Sequence, residues 1–235
     1  FRRVLFRSFV GLPSRIRYEV RGHTCVEICD DAVVAQVEQE DPIGWVSELQ
    51  QRTKAYYRDD LPRFLGGLVG YFGYETVHMI ESRVGRGKSK SDPIDCPDIL
   101  LLQSEEVIVY DNLAGKLYFV VFANPQDTDA YERGQPRLTE LFEALRKPID
   151  EPEEGVHELA VPHEETPQDV FTESVARAKA YIPEGDIMQV VLSQRMSVPF
   201  HAPPLSLYRS LRALNPSPYM FYFTLEDFHI VGAST

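Results

Sequence analysis

Pro148 to Pro167 sets the first limit on what this chain can fold into. Four of these twenty residues are proline and seven are acidic. Proline has no N–H to donate and carboxylates resist burial, so the stretch reads as an exposed linker, not as an element of a core. The chain therefore divides into residues 9–147, a linker at 148–166, and a second region at 167–235. With 235 residues, 43% of them hydrophobic, it can fill a core on each side.

Residues 1–8 stand apart. Arg2 to Arg7 (RRVLFR), with Ser8, read as a translated adapter or cloning scar and are set aside as a non-native leader. The alternative is a native first strand. With no initiating Met, and with Thr235 following directly on a strand, the sequence reads as a fragment open at both ends. A net charge of −12 argues against a nucleic-acid partner, although it leaves room for a locally positive pocket. Cys25, Cys29 and Cys96 are too few for a disulfide scaffold and lack the His or Cys companions of a zinc site. They suit a reduced, cytoplasmic protein. No apolar run approaches the ~20 residues of a membrane span.

Alternating patterns predict strands over Phe9–Val20 and His23–Val37, with Arg21-Gly22 as the turn. Asp41-Pro42 opens a helix bearing Ile43, Val46 and Leu49 on its apolar face, with Trp45 packed at its edge. Phe64–Tyr74 (FLGGLVGYFGY) resembles a phosphate loop only superficially. It lacks a following Lys-Ser or Lys-Thr, so a buried strand with glycines for close backbone approach is expected. A short helix over Glu75–Glu81 and a polar loop over Ser82–Pro97 follow. Strands come next at Ile99–Gln103, Glu106–Tyr110 and Lys116–Ala123, the last two forming a hairpin. Tyr131–Lys147 is partly helical, its start limited by Gly134 and Pro136. After the linker, Thr166-Pro167 begins a helix to about Tyr181 with Val170, Phe171, Val175, Ala178 and Ile182 facing inward. Leu205–Leu214 is helical. Tyr219–Leu225 and Phe228–Gly232 form a hairpin. The class is α+β, with mixed or antiparallel sheets and helices packed outside.

The chemistry is expected in Gly185–Arg195 (GDIMQVVLSQR) and Asn215–Phe223 (NPSPYMFYF). Ile187–Leu192 is apolar on both faces apart from Gln189, the pattern of a buried central strand. A buried amide needs partners, either a neighbouring backbone group or a ligand.

GDIMQVVLSQR, LYRSLRALNPSPYMFYF and IVGAS together resemble the first part of the chorismate-binding domain of the anthranilate synthase large-subunit (component I) family. FLGGLVGYFGYE followed by CPDILLL resembles that family's amino-terminal domain. The resemblance covers nearly all of Phe9–Ser234, so 9–147 corresponds to the amino-terminal domain and 167–235 to the start of a truncated chorismate-binding domain. It implies that chorismate and ammonia give anthranilate and pyruvate, in tryptophan biosynthesis. It further implies Mg²⁺ as cofactor, a glutamine amidotransferase subunit (component II) as ammonia source, and L-tryptophan as feedback inhibitor. The acidic metal ligands and catalytic His would lie beyond residue 235, so no metal ligand is assigned here and the fragment is expected to be inactive.

Gln189 takes the position facing the nucleophile, where superfamily members that add water resemble this strand but carry Lys. A lysine of lowered pKa can deprotonate water, whereas an amide cannot; ammonia needs no such base. By resemblance, Pro218, Tyr219 and Met220, with Asn215, line the L-tryptophan site, and their apolar and aromatic surfaces suit an indole. The plain alternative is that Tyr219, Met220 and Phe221 are strand core. The other half of that site would precede Phe9. Aminodeoxychorismate synthase, and a non-catalytic tryptophan-binding module, remain alternative readings.

Overall fold

A computed structural model describes residues 7–52, 54–81, 83–84, 94–149 and 160–234. In chain order these form β1 (Arg7–Gly11), β2 (Ile16–Arg21), β3 (Thr24–Cys29), β4 (Ala32–Glu38) and α1 (Pro42–Arg52). Next come β5 (Gly67–Phe72), a 3₁₀ turn at Tyr74–Thr76, α2 (Val77–Ile80), β6 (Ile99–Ser104), β7 (Glu106–Asp111), β8 (Lys116–Val121) and α3 (Ala130–Leu145). After the linker follow β9 (His163–Glu164), α4 (Gln168–Glu184), β10 (Met196–Ser197), α5 (Pro204–Leu214), β11 (Tyr219–Leu225) and β12 (Phe228–Ser234). The architecture is α+β, and every strand pairing among the described residues is antiparallel. The chain divides into two compact units between Ile149 and Asp150.

The first unit holds a five-stranded sheet in the order β4-β3-β2-β6-β5 and a three-stranded sheet in the order β1-β7-β8. Alternation puts Tyr18, Val20, Cys25, Ile99 and Leu101 on one face of the larger sheet, where α1 covers them with Trp45, Val46 and Leu49. Trp45 is a core residue, its ring edge-on to Tyr18 at 6.0 Å. The Asp41 carboxylate caps α1, accepting from the Gly44 N–H at 2.8 Å.

Several expectations change here. The leader assigned to residues 1–8 ends earlier in structural terms, because Arg7 and Ser8 are strand residues registered on Asp111 and Tyr110. Each of the first two expected strands is two strands. Pro13, with no N–H, lies between β1 and β2, and Asp30-Asp31 turns β3 into β4 with both φ values positive (49° and 63°). The glycine-rich β5 is a half-buried edge strand and not a central one. Its close approach is real: a Cβ on Gly70 would run into the Leu100 backbone. Gly134 and Pro136 do not limit α3, which starts before both; Pro136 is exposed, so the carbonyl it leaves unpaired is hydrated. Most of the Ser82–Pro97 loop, and residues 150–159 of the linker, lie outside the described residues, while the linker's end, His163-Glu164, is a strand.

In the second unit, α4 packs against little. Ala178 is its one buried residue, and the expected inward face carries Val170 at 48% and Ile182 at 46% exposure. Its start is one residue later than a Thr166 cap predicts, with no side-chain capping bond. The β11–β12 hairpin packs on α5, with Tyr208 and Tyr222 ring centroids 6.1 Å apart.

Candidate functional site

The segment carrying Gln189 is not a strand. Asp186–Arg195 is irregular and exposed apart from half-buried Ile187. A two-sided apolar sequence becomes a buried strand only where neighbours pair both edges and cover both faces, and no strand among the described residues does so. Ile187, Val190 and Leu192 form one wall of a shallow groove of about 280 Å³, facing Arg177, Ala178 and Tyr181 of α4. Gln189 is not on that wall, and its amide faces solvent. The buried Gln189 expected from the sequence is therefore not what this arrangement contains. Gln194 reaches back toward the Thr166 carbonyl at 3.5 Å.

The second cluster is better ordered. The Asn215 N–H donates to the Leu211 carbonyl at 2.8 Å and ends α5, a stop that Pro216 and Pro218 enforce. Ser217 between the prolines is buried. Its hydroxyl donates to the Ser234 carbonyl and accepts weakly from the Tyr219 N–H at 3.4 Å, tying the start of β11 to the end of β12. Pro218, Tyr219 and Met220 then follow along one strand, with Tyr219 opposite Ser234 and Met220 opposite Ala233. Tyr219 is 69% exposed and Met220 half-buried, so neither is plain core. Phe221 stacks on Phe223 at 5.6 Å, and its ring lies against Gly232, where a Cβ would overlap it. The structure thus brings Asn215, Pro218, Tyr219 and Met220 to one end of the hairpin and leaves Gln189 apart from them on another segment. Ser217 is the residue that sequence reasoning passed over. Its signal was there: a hydroxyl between two prolines is well placed to make a local turn bond. The expected second half of this site, before Phe9, falls on residues 1–6, outside the described residues, and on β1 of the other unit.

Among the described residues no group of three His, Cys, Asp or Glu is placed to hold a metal ion, so these residues do not fit Mg²⁺ and no step runs through it. Nor is any described helix long and apolar enough to cross a membrane.

The two motif segments and the antiparallel units that carry them are those of the chorismate binding enzyme family, whose profile matches residues 13–235; the chain belongs to that family. Its relatives narrow this further. It is 44% identical to anthranilate synthase component 1 of Pseudomonas putida over 97% of its own length and 47% of that protein. The figures for anthranilate synthase component 1 of Pseudomonas aeruginosa are 46%, 97% and 47%. The crystal structure of anthranilate synthase component I from Streptococcus pneumoniae TIGR4 superimposes with a TM-score of 0.76 at 26% identity, covering 97% of this chain and 50% of that one. The chain thus spans about half the length of the curated relatives it matches.

Proposed function

We propose that this chain is a portion of an anthranilate synthase large subunit. In the whole protein, chorismate and ammonia become anthranilate and pyruvate, a glutamine amidotransferase subunit supplies the ammonia, and the reaction runs in the cytoplasm for tryptophan biosynthesis. The observation that carries the reading is identity of 44% and 46%, sustained over 97% of the chain, to two proteins of that name.

In this reading the chain's own residues have two tasks. Gln189 faces the incoming nucleophile from a segment that is a strand in the whole protein. Its amide can orient ammonia by hydrogen bonding but has no basic site to deprotonate water, so attack by nitrogen is favoured over attack by oxygen. Asn215, Pro218, Tyr219 and Met220 receive the indole and backbone of L-tryptophan, with Ser217 holding the strand start that presents them. Magnesium, if required, is held by residues other than those described here.

The experiment supplies chorismate, ammonium chloride and magnesium to the chain alone and to the chain mixed with the half of the Pseudomonas putida relative that it does not match. Anthranilate fluorescence should appear only in the mixture. Accumulation of aminodeoxychorismate in place of anthranilate would overturn the reading.

A further inference from the structure

Ile187–Gln194 has the side chains of a buried strand and the backbone of an unpaired one. Aliphatic and β-branched residues such as these stabilise a structure when packed on a pleated surface, not when left in water. Here Met188 is 97% and Val191 83% exposed. The two ends of the segment are nevertheless fixed. At one, Gly185 adopts a left-handed conformation (φ 84°), and the N–H groups of Gly185 and Asp186 return to the carbonyls of Ile182 and Tyr181, each at 3.1 Å. At the other, the Arg195 carbonyl accepts from the Glu165 N–H at 3.1 Å and Met196 pairs with Glu164. Between these anchors no backbone hydrogen bond joins Ile187–Gln194 to any other described residue. The segment is held at both ends, open along both edges and apolar on both faces.

We propose that Ile187–Gln194 is a strand-docking site, and that it passes from irregular chain to β-strand when it binds the polypeptide corresponding to the half of the relatives that this chain does not match. The length of that missing chain argues for this occupant: 97% of the present chain aligns with only 47% of the Pseudomonas putida relative, which carries as much polypeptide again. A second copy of this chain fits less well. It offers the same single open segment, which would pair one edge and leave the other bare. Strands β11 and β12 already pair with each other, and β9 and β10 are only two residues long. The identity of the occupant rests on the anthranilate synthase reading; the docking site itself rests on the geometry.

Amide hydrogen exchange on the full chain tests this, with and without the unmatched half of the Pseudomonas putida protein. Alone, the amides of residues 187–194 should exchange as unprotected chain while those of Ile99–Leu101 in the first unit stay protected. On mixing, residues 187–194 should slow by about 100-fold or more, the behaviour of amides joined to a cooperative sheet. Val191→Lys should abolish the protection, and Leu113→Lys, at an exposed turn of the other unit, should not. Ile99–Leu101 report folding of the first unit in each variant. Failure to form a complex overturns the proposal. So does a complex in which residues 187–194 stay unprotected, or protection in the chain alone that grows with its concentration, which would make a second copy the occupant. Protection without anthranilate formation would sink the functional reading and leave the docking site standing; anthranilate formation without protection would do the reverse.

Discussion

Asp111 shows how much one side chain organises. One carboxylate oxygen accepts from the backbone N–H of Ala114 (2.9 Å) and of Leu113 (3.0 Å), closing the β7–β8 turn. The other accepts from Arg7 Nε at 2.9 Å, clamping β1 to the same sheet. These bonds, led by that from Ala114 and followed by the Arg7 guanidinium, hold the carboxyl below its ordinary value. A carboxylate with a lowered folded-state pKa stabilises the fold above the unfolded value, near 3.9, and that contribution is lost as pH falls through the folded-state value. Asp111→Asn should therefore lower the denaturant midpoint at pH 7, and its deficit should shrink when the pair is compared near pH 3. A deficit equal at both pH values would mean that the charge has no part in it. The Asp111 clamp was not legible in the sequence, because an acid at a hairpin turn says nothing of an arginine 104 residues away. Asp30 and Asp31 hid their turn similarly, since neither is the Gly or Asn that usually advertises positive φ. The Asn215–Met220 stop was plain, because two prolines in four residues leave the backbone few choices.

At the level of elements, local pattern read well wherever the partners lie within the chain. The strands β6 to β8, α1 with its Asp41 cap, α5 and the β11–β12 hairpin fall where alternation, helical spacing and turn chemistry place them. The glycine argument for β5 also survives, although its position at the sheet edge does not follow from composition. There the prediction is steric: Gly70→Ala puts a methyl into the Leu100 backbone, which cannot move without breaking the β5–β6 register. Overpacking of this kind costs about 1–3 kcal/mol, and chemical denaturation of the first unit measures it. A loss under 0.5 kcal/mol, roughly the scale of a neutral surface change, would show that the two strands do not pass as closely as described. Failure of pattern reading is concentrated at Ile187–Leu192 and along α4. Both have the apolarity of buried elements, and burial depends on surfaces that no local pattern specifies.

For the whole molecule, the two halves differ in how complete they look. The first unit closes a core around Tyr18, Cys25, Trp45 and Ile99, all buried. The second leaves Met188, Val191 and Leu214 in water, at 97%, 83% and 85% exposure. Contiguous apolar surface of that kind marks a site of association. The family was readable from ordered motifs; the environment of Gln189 was not, because the groups that would surround it are not among the described residues. The functional account turns on nitrogen, and not oxygen, reaching the substrate opposite Gln189. Chorismate given to the reassembled protein in ¹⁸O-labelled water with ¹⁵N-labelled ammonium, with products weighed by mass spectrometry, decides this. The account predicts anthranilate carrying ¹⁵N and no ring product carrying ¹⁸O. A hydroxylated product labelled with ¹⁸O would contradict it.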